Sequence, residues 1–137
     1  MGKKVYVGMA ADILHKGHIN LLNEASKYGE VTVGLLNDEA IKSYKREPII
    51  NYENRYIVMQ SLKMVNNIIE QKTHDYTDNL KLIRPDYVVH GNDWIEGQSE
   101  VRIKVIETLS EIGGKLIEVP YTKGISTTDI INKIKYN

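Results

Sequence analysis

The 137-residue chain has no cysteine, and its 18 basic residues are balanced by 18 acidic ones. Without cysteine there is neither a disulfide framework nor a thiol nucleophile, and the composition fits a reducing cytoplasm. A net charge of zero gives no sign of bulk binding to nucleic acid. No apolar run approaches the length of a membrane span, and residues 1–4 lead into a strand. We therefore expect no membrane partner and no secretory signal.

Enough apolar residues are present, 42% of the chain, to form a packed core. The length is that of one ordinary domain, which predicts a single domain spanning residues 1–137.

Among the residues that are present, a strand–turn–helix segment with two histidines stands out. β-Branched and aromatic side chains predict a buried strand over residues 5–9, and spaced apolar residues predict a helix over 19–28. His15 and His18 lie between them, three residues apart, so a helical first turn sets both on one side. Helix starts attract phosphate, and imidazoles can donate hydrogen bonds to it. We predict an anion site here, with Gly17 permitting close approach to the backbone.

Half of a metal site is the alternative interpretation of His15 and His18. The segment has no glutamate between the histidines, unlike the helix of a zinc protease, and no cysteine is available as a further ligand. The strand, turn and helix context is the one that phosphate binding requires, so the anion site is favoured.

Strands and helices alternate along the chain. Further strands are predicted at residues 31–36, 65–70, 87–91 and 115–119, and helices at 38–44, 52–63, 78–83, 99–112 and from 126 or 127 onward. This alternation implies an α/β fold, a single Rossmann-like domain whose parallel sheet carries helices on both faces. Ligands bind beyond the carboxyl ends of such strands. One crevice is therefore expected to gather residues 9–18, 37–38, 91–94 and 121–126.

Two motifs resemble those of a known enzyme superfamily. His15-Lys16-Gly17-His18 is similar to the His-x-Gly-His signature of nucleotidyltransferases, and Gly124-Ile125-Ser126-Thr127-Thr128 is similar to the second signature of the cytidylyltransferases. The two stand in the family's order at opposite ends of a short chain. Tyr52-Glu53-Asn54-Arg55 and Gly91-Asn92-Asp93-Trp94 also resemble cytidylyltransferase segments. The resemblance covers about residues 5–131.

The resemblance implies a cytidylyltransferase that uses CTP with Mg²⁺ and releases pyrophosphate. An acceptor phosphate or phosphonate is ionised at neutral pH, so positioning and charge stabilisation suffice without a general base. His15 and His18 would contact the nucleotide phosphates, and Ser126 and Thr127 would offer hydroxyls and N–H groups at another helix start. Further nucleotide contacts are expected from Gly8, Met9, Ala10, Gly17, Asp38, Gly91, Asp93, Trp94, Tyr121, Gly124 and Ile125.

The family also brings a basic residue from the loop after the second strand into the active site. Lys45 is the expected residue, with Lys42 and Arg46 left open. Arg55 matches the arginine of the family's Tyr-Glu-x-Arg segment and is expected to bind a phosphate, because guanidinium and phosphate pair in two-pronged fashion. The alternative for Arg55 is a surface ion pair with Glu53 or another acid.

Asp12 lies near the phosphate turn and is expected to help hold Mg²⁺, directly or through water. Its alternative role is to stabilise the turn. His74 and His90 have no motif around them and are expected to be structural. Trp94 is expected either beside a substrate or as an anchor for its loop.

Departures from the family's glycerol-3-phosphate members indicate another acceptor. The turn over residues 8–12 is one residue longer than their Gly-Thr-Phe-Asp turn, Tyr121 lies where they carry an arginine, and Asn92 replaces an aspartate. The turn over residues 7–12, the segment Ser43-Tyr44-Lys45-Arg46 and the segment Pro120-Tyr121-Thr122 instead resemble the cytidylyltransferase domains of phosphonate pathways, often fused to phosphoenolpyruvate mutase. The expected acceptor is therefore 2-aminoethylphosphonate or 2-hydroxyethylphosphonate.

Several alternatives remain open. The first is glycerol-3-phosphate as acceptor, giving CDP-glycerol. More distant ones are adenylyl transfer and a non-catalytic nucleotide-binding module. Relatives of this size are often homodimers, which implies a second copy of the chain as partner.

Overall fold

The computed structural model describes residues 2–94 and 99–136, and strands and helices alternate in them as predicted. The strands are β1 (Lys4–Met9), β2 (Glu30–Leu36), β3 (Asn67–Gln71), β4 (Tyr87–Gly91) and β5 (Lys115–Val119). The helices are α1 (Lys16–Ser26), α2 (Asp38–Lys42), α3 (Tyr52–Gln60), α4 (Thr77–Ile83), α5 (Ser99–Ile112) and α6 (Thr127–Lys135).

The strands form one parallel sheet in the order β3-β2-β1-β4-β5. The chain moves outward from β1 through β2 to β3 and then returns to the other side of β1 as β4 and β5. The strand order therefore reverses between β1 and β4, where Tyr6 pairs with Val88. A crevice opens at such a reversal beyond the carboxyl ends of the strands, which places the candidate site.

Side chains alternate across the sheet and form a core on each face. On one face, Val7 and Val33 pack with Leu22 of α1 and Met59 of α3. On the other face, Tyr6 and Val88 pack with residues of α4 and α5, namely Leu80, Val105 and Leu109. The expected Rossmann-like α/β fold with helices on both faces is thus confirmed.

Polar side chains start several of the helices. Asn51 caps α3 and Ser126 caps α6 by accepting hydrogen bonds from the first turn. The helix α1 begins at Lys16, three residues earlier than predicted, because His15 is its N-cap. Among the described helices, none is long and apolar enough to cross a bilayer.

Candidate active site

A pocket of about 840 Å³ lies at the carboxyl ends of β1 and β4. Most of the predicted site residues line it: Gly8, Met9, Ala10, Asp12, His15, Gly17, His18, Lys45, Gly91, Asp93, Trp94, Tyr121, Ser126 and Thr127. The predicted residues that do not line it are Asp38, Arg55, Gly124 and Ile125. The two signature motifs thus converge on one cavity, whose volume is typical of small-molecule sites.

Backbone N–H groups orient the rings of both histidines at the start of α1. The Nδ1 atom of His15 accepts from the backbone N–H of Gly17 at 3.0 Å, and the Nδ1 atom of His18 accepts from the backbone N–H of His15 at 3.2 Å. A neutral imidazole that accepts at Nδ1 carries its proton at Nε2. Each ring therefore keeps an Nε2–H free to donate to a ligand in the pocket.

Burial favours the neutral form of both histidines. Burial, followed by the charges of His15 and Lys45, lowers the pKa of His18 to about 4. Burial also lowers the pKa of His15 below its ordinary value. The pair consequently offers hydrogen-bond donors to an anion without being charged beforehand.

Gly17 allows this arrangement because a side chain there would collide with the His15 ring. A Cβ atom on Gly17 would lie 2.7 Å from Cε1 of His15. The close approach expected at this glycine is therefore made by the ring of His15. Gly8, at the end of β1, has a similar role, since a Cβ there would lie 2.5 Å from the Tyr76 ring.

The structure distinguishes the three basic residues considered for the phosphates. Lys42 pairs with Glu39 and Glu47 at 3.4 and 3.6 Å, and Arg46 pairs with Asp12 at 3.1 Å. Lys45 is the one of the three that lines the pocket.

Lys45 is exposed as a whole residue, and the protein partly desolvates its ammonium group. This desolvation, followed by the charge of Arg46, lowers the pKa of Lys45, while Asp12 and Asp93 oppose the shift. The ammonium lies 5.6 Å from the centre of the Tyr44 ring.

Asp12 does not fit the expected role as a Mg²⁺ ligand. It is only 3% exposed, and its carboxylate accepts hydrogen bonds from Arg46 and from the backbone N–H groups of Ile49 and Ile50. Across residues 2–94 and 99–136, no three His, Asp or Glu side chains come together in a way that could hold a metal. The alternative role, a carboxylate that stabilises local structure, is the one that these contacts favour.

The expected phosphate contact of Arg55 is also corrected. Arg55 is 2% exposed and donates to the backbone oxygens of Ile50, Ala10 and Leu36 at 2.7–2.8 Å and to Asp38 at 2.7 Å. Both Arg55 and Asp38 therefore tie the ends of β1 and β2 to the loop before α3. The Arg55 guanidinium is engaged inside the protein, and neither residue lines the pocket.

The carboxyl-terminal motif reaches the histidine turn directly. Thr127 donates from Oγ1 to the backbone oxygen of Ile13 at 3.2 Å, and Ser126 caps α6 by accepting from Asp129 at 3.0 Å. Gly124 adopts φ +87°, the left-handed conformation that glycine tolerates, and turns the chain ahead of the pocket-lining residues. Gly124 and Ile125 thus lead into the pocket wall formed by Ser126 and Thr127 but do not line the pocket themselves.

Two histidines that were expected to be structural also line the pocket. The ring of His74 stacks on Tyr44 at 3.7 Å, and the ring of His90 stacks on Trp94 at 3.6 Å. Burial lowers the pKa of both histidines. The position of His90 at the carboxyl end of β4 is a sequence signal that it lies at the crevice. His74 lies in a loop without a motif, and its sequence carries no such signal.

Comparisons with known proteins identify the family of the chain. The sequence model of the family described as "Cytidylyltransferase-like" matches residues 6–133. A FAD synthase of Methanopyrus kandleri is 37% identical over 123 residues, covering 87% of this chain and 79% of that protein. An ethanolamine-phosphate cytidylyltransferase of Dictyostelium discoideum is 31% identical over 136 residues, covering 96% of this chain but 36% of that protein.

A solved structure shares the fold. The lipopolysaccharide core biosynthesis protein of Thermoplasma volcanium matches with a TM-score of 0.72 at 25% identity, over 90% of this chain and 98% of that one. The match of the family model to nearly the whole chain, with both motifs at one pocket, shows the family. The chain belongs to the cytidylyltransferase-like family and is a nucleotidyltransferase.

Proposed function

We propose that the chain transfers CMP from CTP to a small phosphonate or phosphorylated alcohol, with 2-aminoethylphosphonate or 2-hydroxyethylphosphonate favoured. The observation that carries the proposal is the hydrogen bond from Thr127 to Ile13, which joins the hydroxyl-bearing turn to the histidine turn. Both turns line one pocket, so both can contact one triphosphate.

The proposed chemistry is a displacement at the α-phosphate. An oxyanion of the acceptor forms a new bond to the α-phosphorus, the bond from that phosphorus to the bridging oxygen breaks, and pyrophosphate leaves. The Nε2–H groups of His15 and His18 donate to phosphate oxygens whose charge grows during the reaction. Lys45, whose charge acts on His18, supplies the positive charge that holds an anionic acceptor near them.

The charges of the pocket wall support the choice of acceptor. Asp93 places an exposed carboxylate there, 3.8 Å from the nearest nitrogen of His90. This carboxylate can pair with the amino group of 2-aminoethylphosphonate while Lys45 holds the phosphonate. Replacement of Asp93 by Asn is therefore expected to reduce the preference for the amino over the hydroxy compound.

Mg²⁺ remains part of the proposal as a cation carried by the triphosphate. It keeps several waters and is commonly held through substrate phosphates. Asp12 is not assigned to it, because its carboxylate already accepts three hydrogen bonds within the protein.

Adenylyl transfer is the second candidate because of one comparison. The similar protein of Methanopyrus kandleri is called a FAD synthase, and FAD contains an adenylyl group joined to a flavin phosphate. It is matched over 79% of its length. On this alternative, the chain would use ATP and a larger phosphorylated acceptor.

One assay separates the candidates. Pyrophosphate release is measured with CTP or ATP against the two phosphonates, glycerol-3-phosphate, phosphocholine, ethanolamine phosphate and FMN, and products are identified by mass. His18→Ala, purified in the same way, measures the contaminating background. Turnover with CTP and a phosphonate supports the first proposal, whereas turnover with ATP and FMN replaces it. Tight nucleotide binding without turnover on any acceptor would indicate a binding module.

We also propose a homodimer, on the analogy implied by the resemblance alone. Sedimentation equilibrium of the purified chain tests it, and a single species of 15.7 kDa would contradict it.

A further inference from the structure

The loop between α2 and α3 is fastened to the histidine turn by one carboxylate. Asp12 accepts from Arg46 at 3.1 Å, from the N–H of Ile49 at 3.0 Å and from the N–H of Ile50 at 2.9 Å. Asp12 is 3% exposed, so these bonds are shielded from water in a way that a surface ion pair is not.

The position of this carboxylate links two parts of the active site. Asp12 lies three residues before His15, and its partner Arg46 directly follows Lys45. The same contacts that close the loop therefore set where Lys45 stands relative to the histidines. Lys45 is close enough for its charge to act on His18.

The backbone beside Asp12 is held in an uncommon conformation. Ala11 has φ +49°, in the left-handed region that residues with a Cβ rarely adopt. Such a conformation persists where surrounding contacts determine it. The hydrogen bond from Arg55 to the oxygen of Ala10 and the three bonds to Asp12 hold this turn from either side.

We propose that Asp12 is a positioning residue for Lys45, fixing the loop of residues 43–51 against the histidine turn so that the acceptor held by the ammonium lies beside the nucleotide phosphates held by the imidazoles. The inference rests on the proposed function. It assigns to Asp12 a role through Lys45 and none through a metal.

A double-mutant cycle tests this role. Wild type, Asp12→Asn, Lys45→Ala and the double variant are compared for kcat and KM. Misplacing a catalytic group by about 1 Å costs on the order of 10²-fold, and we expect Asp12→Asn to lower kcat by about this factor while the KM for nucleotide changes little. If Asp12 acts through Lys45, the double variant is no slower than Lys45→Ala, to within about twofold.

Other outcomes overturn the proposal. If the two losses multiply, or if Asp12→Asn raises the Mg²⁺ concentration for half-maximal rate, Asp12 acts on its own or through the metal. If circular dichroism shows that the lost rate equals the lost folded fraction, its role is structural only.

Trypsin provides a readout that needs no activity. Cleavage after Lys45 and Arg46 in the nucleotide-free protein requires the loop to leave Asp12. We expect slow cleavage in wild type and faster cleavage in Asp12→Asn, with Asp78→Asn, at an exposed carboxylate outside the pocket, as the matched control that leaves the cleavage rate unchanged. Equal rates in wild type and Asp12→Asn would overturn the inference. Failure of CMP transfer in wild type would refute the proposed function but would leave the cleavage result standing.

Discussion

The Nδ1 atom of His18 accepts a hydrogen bond from the backbone N–H of His15 at 3.2 Å, and the centres of the two rings are 4.1 Å apart. His15 in turn caps α1 through its own Nδ1 atom. Together these bonds orient both rings before any ligand arrives. A pre-oriented donor pair needs no reorganisation when charge develops on a phosphate, which is the condition for strong electrostatic stabilisation.

Two substitutions of His15 separate its role as the N-cap of α1 from its role as a hydrogen-bond donor to phosphate. His15→Ser keeps an N-cap acceptor and His15→Ala does not. Both are expected to lower turnover by roughly 10²–10³, because each loses one donor to the transition state. Only His15→Ala should also lose about 1 kcal/mol of unfolding free energy. Pyrophosphate release and urea denaturation measure the two effects, and wild-type turnover in His15→Ser would contradict the assignment.

The low pKa of His18 predicts a pH-dependent stability. The pKa is about 4 in the folded chain against an ordinary 6.5, so the unfolded chain binds the extra proton between these values. Stability from this group is complete above pH 6.5 and is lost as pH falls toward 4. Between pH 7.5 and 5 the loss is about 2 kcal/mol.

His18→Gln is the matched control for this effect. Glutamine at this helix position can still reach the backbone N–H of residue 15 but does not titrate. The unfolding free energy of wild type should therefore fall more steeply with decreasing pH than that of the variant. Parallel pH profiles would show that His18 titrates normally in the folded chain.

Lys45 and Lys42 lie three residues apart, and their substitutions can be compared as test and control. Lys45→Ala removes the ammonium group at the pocket and should lower kcat/KM on the order of 10²-fold. Lys42→Ala removes a side chain paired with Glu39 and Glu47 outside the pocket and should change kcat/KM less than about twofold. The measurement is the ratio of kcat/KM between the two variants in the pyrophosphate assay. Similar losses in both variants would indicate that Lys42 also acts in the active site.

Removal of Arg55 should affect folding before nucleotide binding. Arg55→Met leaves the oxygens of Ala10, Leu36 and Ile50 without a donor, and the expected loss of unfolding free energy is about 3 kcal/mol or more. The control Arg102→Met removes a partly exposed pair with Glu118 and should cost about 1 kcal/mol or less. A raised KM for nucleotide with unchanged stability would instead support the original phosphate role.

Local sequence patterns were sufficient for the elements and for the crevice. The apolar runs of β1 and β2, the caps Asn51 and Ser126, and the alternation of strand and helix each depend on neighbouring residues. A parallel sheet then places the ends of its strands together by geometry. Arg55 and Asp12 could not be assigned in this way, because their partners are mostly backbone groups that look alike in every sequence.

The sequence by itself determined the α/β fold, the helix starts of α1 and α6 at which we propose phosphate binding, and the residue types present there, since these follow from periodicity, capping and short motifs. Only the tertiary structure decided which charges reach the pocket. Lys45 reaches it, while Lys42, Arg46 and Arg55 are engaged elsewhere. The physical reason is that a charged side chain goes to whichever partner the folded chain brings within hydrogen-bonding distance, and that partner is distant in sequence.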